Sequence, residues 1–167
     1  EVAKRSVKVF VVGNPCNTNA LIACHHAPDI ADEQFFSMTM LDELRAKSML
    51  ANKANVHVND VKKMIIFGNH SKTQYPAYPF ATINGQKVTS VINDEEWLEN
   101  EFIPAVQTRG ATVIKVRGGS SAASAANAVC ESVLRIDYPD DQPFSVGVVS
   151  KGEYGAKPGL VISYPCV

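Results

Sequence analysis

The sequence predicts an α/β (α+β) domain in which an antiparallel sheet packs against helices, and three observations carry that expectation. Apolar runs rich in β-branched and aromatic residues recur at 6–12, 64–67, 144–150 and 160–167. Between them, 41–55 and 120–136 carry apolar stripes at helical spacing. The length of 167 residues, with 46% hydrophobic and 20% charged, is enough for one domain with a sizeable core and excludes disorder.

Taken in order, SVKVFVV at 6–12 ends at Gly13-Asn14-Pro15 and reads as a buried strand closed by a sharp turn, with a helix beginning near Asn17 or Thr18. In LDELRAKSMLANKAN, 41–55, Leu41, Leu44, Ala46, Met49, Leu50 and Ala54 fall close to one stripe with strong helix formers between them. MIIF, 64–67, reads as a buried strand stopped by Gly68, so that Asn69 and His70 follow in a loop. Asn84-Gly85 between 81–83 and 87–89 is a strong hairpin signal. Asp94 is a good N-cap for a long helix in which Pro104 and Gly110 are each expected to force a kink or break. After Gly118-Gly119, the helix at 120–136 puts Ala122, Ala125, Ala126, Val129, Val133 and Ile136 on one face. The last two strands, 144–150 and 160–167, are joined by a Gly-rich segment and are expected to pair antiparallel.

Charge and composition narrow the function. Sixteen Lys+Arg balance 17 Asp+Glu, which argues against a nucleic-acid partner. No apolar run approaches the ~18–20 residues of a membrane span. The first residues do not read as a secretory signal, so a soluble, cytoplasmic protein is expected, with Cys16, Cys24, Cys130 and Cys166 as reduced thiols. The cysteines form no C-x-x-C pair and the four histidines are scattered, so no metal site is expected. Without a signal peptide, the sequon Asn69-His70-Ser71 carries no weight. Both ends of the chain lie in strand-like sequence, and the chain therefore reads as cut from something larger.

Three polar clusters follow the ends of elements: Asn14 to Asn19, the Asp42/Arg45 pair, and Gly68-Asn69-His70-Ser71. Asp42 and Arg45 share a helix face. They form either a surface ion pair worth ~0.2–0.5 kcal/mol or a division of labour, Asp42 orienting a histidine while Arg45 forks onto a carboxylate. His70 is either a positioned imidazole or a satisfied structural one. Gly118-Gly119-Ser120-Ser121 could hold an anion or simply begin a helix. No dinucleotide fingerprint, phosphate loop or nucleophile elbow occurs.

Together, GNPCNTN at 13–19, LDELR at 41–45, IFGNHSKTQYP at 65–76 and GGSSAASAAN at 118–127 resemble the malate dehydrogenases of the cytosolic type, within the lactate/malate dehydrogenase superfamily. The resemblance runs through essentially the whole chain. It implies that His70 is the proton donor and acceptor, Asp42 its partner carboxylate, Arg45 the substrate-carboxylate clamp, and Asn14 a hydrogen-bond donor to substrate near the nicotinamide. Asn14 and His70 then also face the cofactor, NAD with NADP not excluded. Ser120 matches a substrate-pocket position, with Ser121 its neighbour. Malate and oxaloacetate are the implied reactants, and a homodimer the implied assembly.

The family's N-terminal dinucleotide-binding half and its C-terminal helix have no counterpart in the sequence. By that resemblance, 1–18 is the last strand and turn of the nucleotide-binding domain and 19–167 the substrate-binding, catalytic domain. The 167-residue chain alone is expected to be inactive and to associate through its first strand. Phe67 stands where the cytosolic enzymes usually have Trp, and Cys16 is a further departure. A lactate dehydrogenase-like activity and a catalytically silent structural fragment are the alternatives. A Ser120/His70/Asp42 hydrolase is the weakest of the readings, because no nucleophile turn accompanies Ser120.

Overall fold

A computed structural model of the protein describes residues 3–167. The chain enters through β1 (Val9–Val11), turns into α1 (Cys16–His26), and returns in β2 (Phe35–Met38), which lies parallel to β1 with Val9 opposite Phe35 and Val11 opposite Ser37. Parallel strands need such a crossover, and a helix supplies it. α2 (Met40–Ala54) follows directly and ends at Asn55, whose left-handed conformation closes the helix. Asp42 and Glu43 occupy its first turn, where carboxylates complement the helix dipole.

The middle of the chain is built from short pieces. β3 (Val61–Lys62) pairs with β6 (Thr82–Ile83), which pairs with β7 (Gln86–Lys87) across Asn84-Gly85. β4 (Ile66–Phe67) pairs antiparallel with β5 (Tyr75–Pro76). Then α3 (Val88–Ile92) and α4 (Glu95–Trp97) lead through a π-helical turn, Leu98–Phe102, into α5 (Ile103–Arg117). α6 (Ala123–Asp137) precedes β8 (Phe144–Val149) and β9 (Val161–Cys166), which pair antiparallel along all six residues. The main sheet has the order β1-β2-β8-β9, which makes β1 an edge strand in the same sheet as the last two strands.

Two apolar clusters hold the fold. One joins Ala46, Leu50 and Ala51 of α2 to Val61, Met64, Ile66, Ile83, Phe102 and Val106. The other packs Met38, Met40, Leu41, Ala128, Phe144 and Val146 between the sheet, α2 and α6.

Several expectations are corrected. The strand expected at 6–12 is reduced to Val9–Val11, and α1 starts one residue earlier than expected. β2 was not visible in the sequence, because FFSM is too short to show a period. Of MIIF only Ile66–Phe67 joins a ladder; Met64 and Ile65 are buried beside it. The second hairpin strand stops at Lys87 because Val88 already begins a helix. Neither Pro104 nor Gly110 breaks α5: Pro104 sits in its first turn, where the missing N–H costs least, and the irregular turn precedes it. α6 begins at Ala123, not 120, and its buried face is rotated from the expected one. Ala128 and Ser132 are its buried residues, whereas Ala122 and Ala126 are exposed and Val133 is 40% exposed. No helix among the described residues is long and apolar enough to cross a membrane.

Candidate active site

The site assembles around the start of α2. Asp42 is buried in the first turn of the helix, with its N–H bonded to the Thr39 carbonyl at 3.0 Å. Arg45, three residues on, lies on the same side, its Nη1 3.9 Å from Asp42 Oδ1. His70 arrives from the loop after β4. That loop is tied to β9 by a reciprocal pair in which Gly68 N–H donates to the Ser163 carbonyl and Ser163 N–H to the Gly68 carbonyl, each at 2.9 Å. Gly68 turns with φ +97°, a conformation that side chains disfavour, and the chain then leaves the strand toward α2.

The imidazole Nδ1 of His70 is hydrogen-bonded to Asp42 Oδ2. Since a carboxylate can only accept, Nδ1 carries the proton and Nε2 is left with its lone pair free to accept one. The hydrogen bond that the ring donates to Asp42 raises the His70 pKa above its ordinary value, and the Asp42 charge adds to the effect. Burial and the Arg45 charge act in the opposite direction. Arg45 donates from Nη2 to Ser121 Oγ at 2.8 Å. Burial lowers its pKa from the ordinary guanidinium value, Asp42 opposes this, and Arg109 adds a smaller lowering.

Asn14, Asp42, Arg45, His70, Ser120 and Ser121 all line one cleft of about 360 Å³. α5 contributes Gln107, Thr108, Gly110 and Ala111 to its wall, and Ala125 comes from α6. Gly110 brings α5 close to the site: a Cβ there would lie 3.9 Å from Arg45 Nη1. Ser120 lines the cleft, but among the described residues it is Ser121 that bonds Arg45. A larger opening of about 680 Å³ continues along α2, α5 and α6, sharing Leu41, Arg45 and Thr108 with the first.

Sequence reasoning gave no role to two polar residues around this site, Gln74 and Glu43, and named a third, Asn17, only at a helix start and as a member of the 14–19 polar cluster. Gln74 is buried and lines the cleft, with its Oε1 lacking a hydrogen-bond partner among the described residues. Glu43 accepts the Ser145 N–H at 2.7 Å, and burial raises its pKa. Asn17 bonds the His70 backbone. Gln74 belongs to the quoted TQYP string and could have been singled out there. No local pattern announces the partners of Glu43 and Asn17.

Residues 39–167 match the family model of the lactate/malate dehydrogenase α/β C-terminal domain. Among solved structures, a malate dehydrogenase from Naegleria fowleri is 45% identical with a TM-score of 0.92, over 98% of this chain and 50% of that one. A Trichomonas vaginalis lactate dehydrogenase in complex with NADH and oxamate is 37% identical with a TM-score of 0.93, over 98% of this chain and 52% of that one. A Salinibacter ruber malate dehydrogenase, 24% identical with a TM-score of 0.84, shares the fold over 95% of this chain and 50% of its own. The chain thus spans about half the length of the solved structures it matches.

Proposed function

The chain belongs to the lactate/malate dehydrogenase family through its C-terminal α/β domain, and on that premise we propose that it forms the substrate side of a nicotinamide-dependent malate dehydrogenase. The observation that carries the reading is the meeting of the Asp42-bonded His70 with Arg45 in one cleft. Malate loses a hydride from carbon and a proton from oxygen. A hydroxyl proton needs a base, and the imidazole of His70 offers one at Nε2, with its tautomer held by Asp42. In reverse, the imidazolium donates its proton to the ketone oxygen. The raised pKa sets the sign: reduction is served below that value, when the ring is charged, and oxidation above it.

Arg45 already uses one nitrogen on Ser121 and keeps further donors for a substrate carboxylate, in the planar fork that Lys lacks. Asn14 and Ser120 line the same cleft with polar groups beside the apolar surfaces of Val12, Met38 and Ile114, a lining that fits the flat nicotinamide end of NAD. When bound, the nicotinamide accepts or supplies the hydride. The NADH in the Trichomonas relative supports NAD as the cofactor. The 167 residues contain no glycine fingerprint for the pyrophosphate, so this polypeptide alone is expected to show no turnover.

The GNHS-x-TQYP string supports the cytosolic-type enzyme, and with it a cytoplasmic homodimer. A lactate dehydrogenase is the second reading, favoured by the 37% identity to the Trichomonas enzyme. Following reduced-nicotinamide absorbance in the full-length protein with oxaloacetate and with pyruvate separates the two. Faster turnover of oxaloacetate is expected, a preference for pyruvate assigns the second reading, and no turnover of either removes both.

A further inference from the structure

Asn17 is 5% exposed and sits in the first turn of α1, yet its side chain does nothing for that helix. Instead its Oδ1 accepts the backbone N–H of His70 at 3.0 Å, 53 residues away. Its Nδ2 donates to the Val161 carbonyl at 3.1 Å, 144 residues away at the start of β9. The Cys16 thiol, kept protonated by a pKa that burial raises to about 11, approaches the same Oδ1 at 3.5 Å. The amide is closely enclosed: a Cβ on Gly147 would lie 3.4 Å from Nδ2 and 2.0 Å from Ser37 Oγ, so the sheet approaches here only because residue 147 has no side chain.

This geometry bears on the imidazole. The ring is held at its far end by Asp42, and a single hydrogen bond there leaves the ring free to swing with its backbone. The loop that carries His70 has no ladder of its own beyond Gly68. The Asn17 bond to the His70 N–H supplies a restraint at the other end of the residue. With both ends fixed, Nε2 has a set position relative to Arg45, which α2 holds independently of Asn17.

We propose that Asn17 is a positioning residue for His70, its carboxamide bridging the His70 N–H to the Val161 carbonyl and so aiming the imidazole that transfers the proton. The proposal rests on the dehydrogenase reading above. Its consequence is a separation of kinetic effects. Loss of the bridge misplaces the proton-transfer group, for which displacement by about 1 Å can cost ~10²-fold in rate. Carboxylate binding by Arg45 is left intact.

The test uses the full-length protein and two variants. Asn17→Leu keeps the branched outline and removes both hydrogen bonds, and Asn17→Ser is too short to span them. Asn17→Leu is expected to lower kcat by about 10- to 100-fold with KM for the dicarboxylate changed less than about threefold. Should Asn17→Leu fail to fold by circular dichroism, Asn17→Ser takes its place with the same expectation. A kcat within about twofold of wild type, or a KM that rises as much as kcat falls, overturns the proposal. Absence of wild-type turnover on both malate and lactate would instead strike the dehydrogenase reading itself.

Discussion

Toward its C-terminal side, α2 sinks Ala46, Leu50 and Ala51 into an apolar cluster with Met64, Ile66, Phe102 and Val106. Toward its N-terminal side, Asp42, Glu43 and Arg45 are also withdrawn from water, but each is answered by a separate polar group. Asp42 has the His70 ring, Glu43 the Ser145 N–H and, at 3.8 Å, Lys47, and Arg45 has Ser121. On the first side only volume and shape matter, so the loss of one side chain is felt as lost packing. On the second, a charge deprived of its partner remains buried and uncompensated. Only Arg45 keeps donors facing an open cleft, and that incomplete pairing distinguishes a binding surface from a finished interior.

The sharpest way to break the comparison is to change the chemistry while keeping the fold. In the full-length protein, His70→Asn retains an N–H for Asp42 but no titratable base. It should lower kcat by ~10²–10⁴ with little change in the unfolding midpoint. A loss of stability matching the loss of rate would make His70 part of the interior instead. The opposite experiment is Leu50→Ala, which leaves a cavity in the apolar cluster and should cost ~2–5 kcal/mol in denaturant unfolding. Its kinetics, measured well below the transition, should match wild type.

Arg45→Lys probes the incomplete pairing. An ammonium preserves the charge but cannot fork onto a carboxylate, so KM should rise by about 10- to 100-fold, in line with ~1.5–3 kcal/mol for a hydrogen bond to a charged group. An unaltered KM would remove Arg45 from substrate binding. The smallest effect concerns pH. Because the Asp42 hydrogen bond holds the folded pKa of His70 above its unfolded value, the pair's stabilisation is complete below the unfolded value of about 6.5. It is lost as pH rises through the folded value. Unfolding free energies of wild type and His70→Asn, compared across that range, should converge toward alkaline pH. A constant difference would mean that the pair is not titrating.

Much of this was legible in the chain. α2 runs within a residue of its expected limits, because its stripe and helix formers agree locally. The antiparallel pairing of the last two strands is likewise as expected. Asp42 and Arg45 share a face because three residues make nearly one helical turn, and His70 follows a strand stopped by glycine. The rotation of α6 was harder to read: Ala126 and Val133 are as apolar as Ala125 and Val129, and only the position of α2 and the sheet decides which of them is covered.

The sequence by itself determined the long helix α2, the pairing of the last two strands and which polar residues stand at the ends of elements, because period, capping and turn chemistry act over a few residues. Only the tertiary structure decided that β1 and β2 run parallel in one sheet with β8 and β9, that α5 passes close enough for Gly110 to face Arg45, and that Asn17 reaches both His70 and Val161. Those contacts join residues tens to more than a hundred positions apart. They are set by how the buried surfaces of whole elements fit together, which no local pattern along the chain encodes.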